Sequence, residues 1–187
     1  CEETKEAAVI DPGEDADRIL MTLAKLGLKV KYLINTHGHF DHVGANARMK
    51  AATSAPICIH PDDEPMLTDL SSAASMFGMA VENSPPADML LNHGDTVTFG
   101  TITLKVIHTP GHSKGGICLY TPGSLFCGDT LFAGSIGRTD LPGGDYDTLI
   151  ASIKEKLFAL DDQTRVYTGH GPATTIGMEK QVNPFLR

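Results

Sequence analysis

The chain has 187 residues, is 41% hydrophobic and carries a formal net charge of −8 at pH 7. This length and apolar content predict one globular domain with a sizeable core. The acidic balance argues against a nucleic-acid partner, because such partners are bound by clustered Lys and Arg. No stretch approaches the roughly 18 to 20 consecutive apolar residues of a membrane-spanning helix, so we expect no membrane partner.

The four cysteines of the chain show no C-x-x-C pair and no dense spacing. Free thiols in a reducing compartment fit this pattern better than a disulfide scaffold does, and we therefore expect a cytoplasmic location. The chain opens on Cys1 rather than on Met, without a signal-peptide pattern. We expect that its natural start is missing.

The first half of the chain predicts alternating strands and helices. Strands are predicted over residues 7–10, 30–34 and 56–60, and helices from Ala16 to a C-cap at Gly27 and over residues 45–52. The segment Asp11-Pro12-Gly13 is interpreted as the turn that ends the first strand. Such alternation is typical of a layered α/β domain.

Residues 62–86 are less regular and predict a loose helix and a loop over one face. Apolar side chains in this loop are candidates for lining an entrance, although ordinary packing is the commoner role: Met66, Met76, Phe77 and Met79.

The second half predicts a hairpin of residues 97–99 and 102–107 around Gly100, and further strands over 117–120, 125–127 and 166–168. Between the last two strands, residues 145–160 show apolar positions at helical spacing and predict an amphipathic helix. No repeat, charge block or linker marks a second domain, so we expect a single domain over residues 1–187.

The most informative stretch is Thr36-His37-Gly38-His39-Phe40-Asp41-His42. Side chains two apart on extended backbone point the same way, so His37 and His39 form one candidate half-site. Asp41 and His42 follow as the chain turns towards a helix near Gly44, which suggests a second half-site. Burying these groups without a cation would leave unpaired polar groups that cost about 1–3 kcal/mol each.

Further candidate ligands lie just past the ends of predicted strands, beside Gly or Pro: His112, Asp129 and His170. α/β proteins place active-site loops at this end of their strands. If Asp129 bridges through its two oxygens, the ligands divide into two sets. One ion takes His37, His39, His112 and Asp129, and the other takes Asp41, His42, His170 and Asp129.

Imidazole and carboxylate ligands without thiolate suit zinc, iron or manganese. We expect two divalent ions, with zinc first, and a bridging hydroxide that attacks an activated carbonyl or a phosphoester. Asp41 and Asp129 are the predicted catalytic residues. Cys127 is interpreted as packing rather than as a ligand, and His60 as a structural or surface residue.

The run Thr-His-x-His-x-Asp-His, followed by Pro-Gly-His112, Gly-Asp129 and Gly-His170, resembles the metallo-β-lactamase superfamily. Within it, the segments 109–113, 128–132, 134–140 and 169–172 look like the compact bacterial glyoxalase II-like proteins. The resemblance implies an αββα sandwich, a binuclear metal site and hydrolysis of a thioester of the S-lactoylglutathione type.

Two departures from that family bear on the substrate and on the start of the chain. Full-length glyoxalase II carries a C-terminal helical domain that contacts glutathione, and this chain ends too soon after His170 to include it. We therefore expect a small-molecule thioester, with glutathione as one candidate carrier, and leave monomer and homo-oligomer open. The family also begins with an extra strand ahead of residues 7–10, which we expect this chain to lack.

Arg138 is the candidate substrate-binding residue. The similar persulfide dioxygenases share its Gly-Arg-Thr-Asp run, and an Arg at this place can fork onto a glutathione carboxylate. The alternative is a structural ion pair with Asp140 or Asp145, and the sequence leaves both interpretations open.

Thioester hydrolysis has several alternatives on the same fold. A persulfide dioxygenase with a single iron is the first of them, but those proteins place His-Asp-Tyr around the last histidine, where this chain has Gly169-His170-Gly171. Two-zinc β-lactamases often have Cys at the position of Asp129. A non-catalytic binding module is the least favoured, because such proteins normally lose ligands and this chain has the full set.

Overall fold

The structure is a computed structural model that describes residues 1–75, 78 and 80–187. The chain divides into two compact units, one of residues 1–91 and 98–103 and the other of residues 92–97 and 104–187. Three residues of the predicted apolar entrance, Met76, Phe77 and Met79, lie outside the described residues. Within the described part of the chain, none of the helices has the length and apolar character needed to cross a membrane.

The first unit contains a four-stranded parallel sheet in the order β1-β2-β3-β4. Its strands are β1 (Glu6–Ile10), β2 (Lys29–Ile34), β3 (Ile57–Ile59) and β4 (Met89–Leu90). The three predicted strands are confirmed with small shifts at their ends. β4 has no counterpart among the predicted strands, because two residues are too few to show the alternation by which a strand is recognised.

Among the described residues of this unit, the helices are α1 (Ala16–Leu26), α2 (Phe40–Val43), α3 (Asn46–Thr53), α4 (Glu64–Leu67) and α5 (Leu70–Ser75). The predicted end of α1 is confirmed, since Gly27 adopts a left-handed φ of 64° and its N–H bonds back to the helix. Apolar side chains of α1 pack on a buried cluster that includes Leu33, Met49 and Ile57. Burial of these side chains, rather than helix propensity alone, holds α1 on the sheet.

The strands of the second half are β5 (Thr96–Phe99), β6 (Ile102–His108), β7 (Ile117–Thr121), β8 (Ser124–Phe126), β9 (Leu131–Phe132), β10 (Ser135–Ile136), β11 (Arg165–Tyr167) and β12 (Thr174–Thr175). Six of them form a sheet in the order β12-β11-β8-β7-β6-β5, and β9 and β10 form a separate hairpin. β11 runs parallel to β8, whereas the neighbouring pairs β6-β7, β7-β8 and β11-β12 are antiparallel. The sequence predicts the longer strands and misses the two-residue strands.

The helix predicted over residues 145–160 is correct in its first half only. α6 (Tyr146–Ser152) is α-helical, and residues Ile153–Leu157 continue it as a π-helix. The buried positions Leu149, Ile153 and Leu157 are four residues apart, which exceeds the 3.6 residues of an α-helical turn. The wider π turn therefore keeps Leu157 on the face that packs on the core.

A buried carboxylate connects the C-terminal helix α7 (Ile176–Val182) to the rest of the second unit. Glu179 is 1% exposed and accepts hydrogen bonds from the Gly134 N–H (2.9 Å), the Thr174 hydroxyl (2.6 Å) and the Asn183 amide (2.8 Å). These bonds satisfy a charge that would otherwise be costly to bury. They tie the β9–β10 turn and β12 to α7, an element that the sequence analysis missed.

Gly111 provides a test of the packing beside a candidate ligand. It has a φ of 129°, and a Cβ built on it would lie 2.3 Å from the Leu149 N atom. Gly123 also has a positive φ, 81°, but open space around it. We expect G123A to lower the free energy of unfolding by about 1–3 kcal/mol, because alanine is strained at this positive φ. G111A should lower it by about 1–3 kcal/mol more, because its new Cβ would also overlap with the backbone of Leu149.

Urea unfolding of the two variants measures the difference. An equal loss of unfolding free energy in G111A and G123A would show that α6 does not restrict the backbone ahead of His112.

Candidate metal centre

The histidine cluster of the first unit begins just after β2. Thr36 and His37 lie in a bend rather than on extended strand, and Asp41 and His42 lie on the single turn of α2. The rings of His37 and His39 are 4.7 Å apart between centroids, and those of His37 and His42 are 4.1 Å apart. The expected proximity is therefore found, but a bend and a helical turn produce it instead of strand alternation.

Asp11 organises this cluster and is absent from the predicted site residues. Its Oδ1 accepts the Thr36 N–H at 2.6 Å, and its Oδ2 accepts the Thr36 hydroxyl at 2.6 Å and lies 3.0 Å from His42 Nδ1. Asp11, His37 and His42 offer ligand atoms that all lie within 4.8 Å of one another. The signal was available in the sequence, because Asp11 follows a predicted strand and lies beside a Pro, just as the other candidates follow strands and lie beside Gly or Pro.

Asp63 is a second residue that the sequence analysis missed. It is fully buried, and its Oδ2 accepts the N–H of Gly38 at 3.1 Å, between the two histidines of the first half-site. A Cβ on Gly38 would lie 2.7 Å from the Met66 Cβ. Asp63 lies in the irregular stretch of residues 62–86, where no periodicity pointed to it.

Close packing also holds α2 against the Asp11-Pro12-Gly13 turn. A Cβ on Gly13 would lie 1.8 Å from the Asp41 carbonyl oxygen. The Ala45 N–H, just after α2, donates to the Pro12 carbonyl at 2.9 Å. The turn interpreted from the sequence as a simple strand ending is therefore the surface on which the ligand-bearing helix rests.

In the second unit, Asp129 lies between two candidate ligands. Its Oδ2 is 3.6 Å from His112 Nε2 and 3.5 Å from His170 Nε2. The structure thus brings together the predicted residues that follow β6, β8 and β11. The side chains of His112 and Asp129 are 5% and 10% exposed, whereas that of His170 is 56% exposed, so one side of this group opens to solvent.

The backbone of residues 137 and 138 positions this second group. His112 Nδ1 lies 2.7 Å from the Arg138 carbonyl oxygen, to which it can only donate, so Nε2 is the nitrogen left to bind a metal. A Cβ on Gly137 would lie 1.8 Å from the Asp129 carbonyl oxygen and 3.3 Å from the His112 Cβ. Glycine is therefore required for this segment to lie against both ligands.

The ligand separations fit a divalent ion. Two ligands of a tetrahedral ion with bonds of about 2.1 Å lie about 3.4 Å apart. The Asp129 pairs are at 3.5 and 3.6 Å, and the Asp41 Oδ2–His42 Nε2 pair is at 3.6 Å. These separations are too long for good hydrogen bonds and match neighbouring positions around one cation.

Two residues left out of the predicted metal set are buried. The Cys127 thiol is buried and lies 3.1 Å from the Leu131 carbonyl oxygen, and its burial raises the pKa of the thiol well above the usual value. His60 is 6% exposed and accepts the Asp62 N–H on Nδ1 at 3.2 Å. The buried thiol of Cys127 agrees with its interpretation as packing, and the structural interpretation of His60 stays a prediction.

Arg138 takes the ion-pair alternative in this structure. Its guanidinium donates two hydrogen bonds to the Asp140 carboxylate, from Nε to Oδ1 at 2.8 Å and from Nη2 to Oδ2 at 2.7 Å. This ion pair lowers the pKa of Asp140 to about 2 and raises the pKa of Arg138. Asp145 instead caps α6, where its carboxylate accepts the Thr148 N–H at 2.8 Å. The hydrogen bond to Thr148 lowers the pKa of Asp145.

The clusters of histidine and carboxylate side chains after the strand ends identify this chain as a protein that uses divalent metal ions. The profile of the Metallo-beta-lactamase superfamily matches residues 2–170. The chain therefore belongs to the metallo-beta-lactamase superfamily, whose members are mostly metal-dependent hydrolases.

Relatives of known name and structure agree with this assignment. Hydroxyacylglutathione hydrolase GloC of Haemophilus influenzae is 40% identical over 189 residues, which cover 99% of this chain and 89% of that protein. The crystal structure of BLEG-1 B3 metallo-beta-lactamase matches with a TM-score of 0.91 at 42% identity, over 97% of this chain and 89% of that one. The crystal structure of TTHA1623 in a di-iron-bound form matches with a TM-score of 0.89 at 42% identity, over 95% of this chain and 88% of that one.

These comparisons confirm the predicted α/β class, the metallo-β-lactamase fold and the resemblance to hydroxyacylglutathione hydrolases. They support divalent metal use, and the di-iron neighbour shows that zinc is not the only metal found on this fold.

The burial of the cysteines gives a pH-dependent prediction. Burial, together with the charge of Asp88, raises the pKa of Cys58 to about 12, so the folded state favours the neutral thiol. Stability should then fall as the pH rises from about 8.5, where an exposed thiol ionises, towards 12. At pH 8.5, iodoacetamide should label only the half-buried Cys1, since Cys58, Cys118 and Cys127 are buried.

Mass spectrometry counts the labels, with urea-unfolded protein as the control that takes four. A second label on the folded protein at pH 8.5 would contradict the burial of these thiols.

Proposed function

We propose that this protein is a binuclear metal-dependent hydrolase of small-molecule thioesters of the hydroxyacylglutathione type. The observation that carries the proposal is the position of the Asp129 Oδ2 atom between His112 Nε2 and His170 Nε2. A carboxylate in this position can be shared by two ions, as the two ligand sets predicted from the sequence require. The 40% identity to GloC over nearly the whole chain supports the thioester substrate.

Divalent ions in this site would lower the pKa of a water to about 7 and so supply a nucleophile at neutral pH. Asp41 is only partly buried, with 38% of its side chain exposed, and can accept a hydrogen bond from the attacking water and orient it. His170 lies on the solvent-open side of its group, where a substrate can approach. The leaving thiol has an ordinary pKa of about 8.5, so it departs as a thiolate with little assistance.

Arg138 is the proposed substrate-binding residue. Its side chain is 54% exposed and already forms a bidentate pair with the carboxylate of Asp140. A glutathione carboxylate would make the same two hydrogen bonds, so binding requires an exchange of Asp140 for the substrate. Asp140 is therefore expected to compete with the substrate.

Replacing Asp129 tests the metal site and the reaction together. D129A should release both ions and abolish S-lactoylglutathione hydrolysis, because both ligand sets lose a member. D162A is the matched control, since Asp162 is an exposed carboxylate paired with Lys180, and it should keep its metal and its rate. Metal analysis and a hydrolysis assay measure these outcomes.

Retained metal with a near-normal rate in D129A would overturn the shared-carboxylate assignment. Two further assays on the wild-type protein separate the alternatives: oxygen uptake with glutathione persulfide would favour the persulfide dioxygenase. Hydrolysis of a β-lactam, faster than that of thioesters, would favour the activity for which the BLEG-1 neighbour is named.

The Arg138 assignment is tested by steady-state kinetics. R138A should raise KM for S-lactoylglutathione about tenfold or more with little change in kcat, because a charge-assisted pair to the substrate is lost. D140N should lower KM, since it weakens the competitor for the same guanidinium. A common rise of KM in both variants would show that the Arg138–Asp140 pair supports the loop rather than the substrate.

A further inference from the structure

Lys114 lies two residues after the candidate ligand His112, in the loop that joins β6 to β7. Lys114 is exposed, whereas the residues on both sides of it, Ser113 and Gly115, are buried. Its carbonyl accepts a hydrogen bond from His108 Nε2 at 2.9 Å, which ties this loop to the end of β6. The backbone of Lys114 is therefore held in place while its side chain extends along the surface.

The side chain of Lys114 passes over a second loop, that of residues 137–145. A Cβ built on Gly143 would lie 3.4 Å from the Lys114 Cγ and 3.9 Å from its Cε. Gly143 has a φ of 90° and no side chain, so this side of the loop is open to the methylene groups. Because Nζ is one bond beyond Cε, the ammonium group also lies beside this loop.

The second loop also carries Arg138, and both of its ends are tied to the loop of Lys114. His112 Nδ1 lies 2.7 Å from the Arg138 carbonyl oxygen, and the Asp145 N–H donates to the Gly111 carbonyl at 2.8 Å. All of these residues belong to the second unit. Lys114 and Arg138 therefore present two cationic groups on one short segment beside a candidate metal ligand.

The sequence limits the separation of the two cationic groups. The guanidinium of Arg138 is paired with Asp140, and the stem of Lys114 lies at Gly143. Three residues of chain span at most about 10 Å, which is the upper limit between these two loop positions. Glutathione has a carboxylate at each end of three residues, so the same upper limit of about 10 Å applies to its two carboxylates.

We propose that Lys114 is a specificity-determining residue that binds the second carboxylate of the thiol carrier, while Arg138 binds the first. This inference rests on the proposed function. It narrows the substrate class to acyl thioesters whose carrier has two carboxylates. The sequence analysis missed Lys114, because a single lysine in a turn belongs to no pattern.

The alternative is that Lys114 is a solvated lysine whose stem only covers the second loop. The charges around it favour binding. The chain has 23 Asp and Glu against 15 Lys and Arg, yet within the described residues the Lys114 ammonium has neither an ion pair nor a hydrogen bond. Asp140 is engaged by Arg138, and Asp145 accepts an N–H of its own helix α6. The charge of Lys114 is therefore available to a ligand.

The test removes the charge of Lys114 and the charges of the ligand separately. K114Q removes the ammonium and keeps most of the side-chain length, and K114R keeps a positive charge. Lys154 is the matched control, because it is an exposed lysine of the same unit that the described residues also leave without an ion pair. The probes are S-methylglutathione, a thioether without an acyl group to hydrolyse, and its diethyl ester, which has no carboxylate.

Calorimetric titration of the metal-loaded variants measures the Kd of each probe. K114Q should raise the Kd of S-methylglutathione about three- to tenfold, because a charge-assisted but exposed pair is lost. K154Q and K114R should keep the wild-type Kd within about twofold, and K114Q should bind the diethyl ester as the wild type does. The effect of K114Q should shrink as salt is added, since salt screens exposed charges.

Steady-state hydrolysis of S-lactoylglutathione is the second measurement. K114Q should raise KM by the same factor with little change in kcat. In the double variant R138A/K114Q, the rise in KM should equal the product of the two single rises, because the two cations bind different carboxylates. A clearly smaller rise would show that they share one carboxylate and would overturn the assignment of Lys114.

Three results of the titrations overturn the proposal: an unchanged Kd in K114Q, an equal rise in K154Q, and the same rise with the diethyl ester. Titration and hydrolysis separate this inference from the proposed function. A wild type that binds S-methylglutathione through Lys114 without hydrolysing thioesters contradicts only the proposed function. A wild type that hydrolyses S-lactoylglutathione with a KM that K114Q does not change contradicts only the role of Lys114.

Discussion

Hydrogen bonds to the Nδ1 atoms of the histidines are the interactions on which the rest of this site depends. A histidine can present only one nitrogen to a metal, and the partner of the other nitrogen decides which one. Asp11 is the partner of His42, and the Arg138 carbonyl is the partner of His112. The strands and turns that hold these two acceptors therefore determine what the histidines can bind.

Glycines make that arrangement possible, because they have no Cβ at positions where two backbone segments approach each other closely. Gly13 and Gly44 lie against the turns around α2, and Gly137 lies against the Asp129 carbonyl, and a Cβ on any of them would lie between 1.8 and 2.9 Å from its neighbour. In each case the neighbour is a main-chain carbonyl, which cannot move aside as a flexible side chain can. The ligands are held by rigid backbone, as a site that needs fixed ligand geometry requires.

Membership of the superfamily defines the metal chemistry more closely than it defines the substrate. The candidate ligand residues lie in loops at strand ends that the fold itself positions, whereas Arg138, the proposed substrate contact, lies on the exposed surface and pairs there with Asp140. GloC and a B3 metallo-beta-lactamase match this chain at nearly equal identity. Thioester and β-lactam chemistry therefore have to be separated by assay of the protein.

The sequence by itself determined the longer strands, helix α1 and the candidate metal ligands, because apolar periodicity and histidines beside Gly and Pro are local signals. Only the tertiary structure decided that Asp11 and Asp63 support the ligands, that Arg138 pairs with Asp140, and that the helix after Asp145 widens into a π turn. These features depend on hydrogen bonds and packing between residues distant in the chain, or on the fit of a helix to its core. Such interactions exist only once the chain has folded.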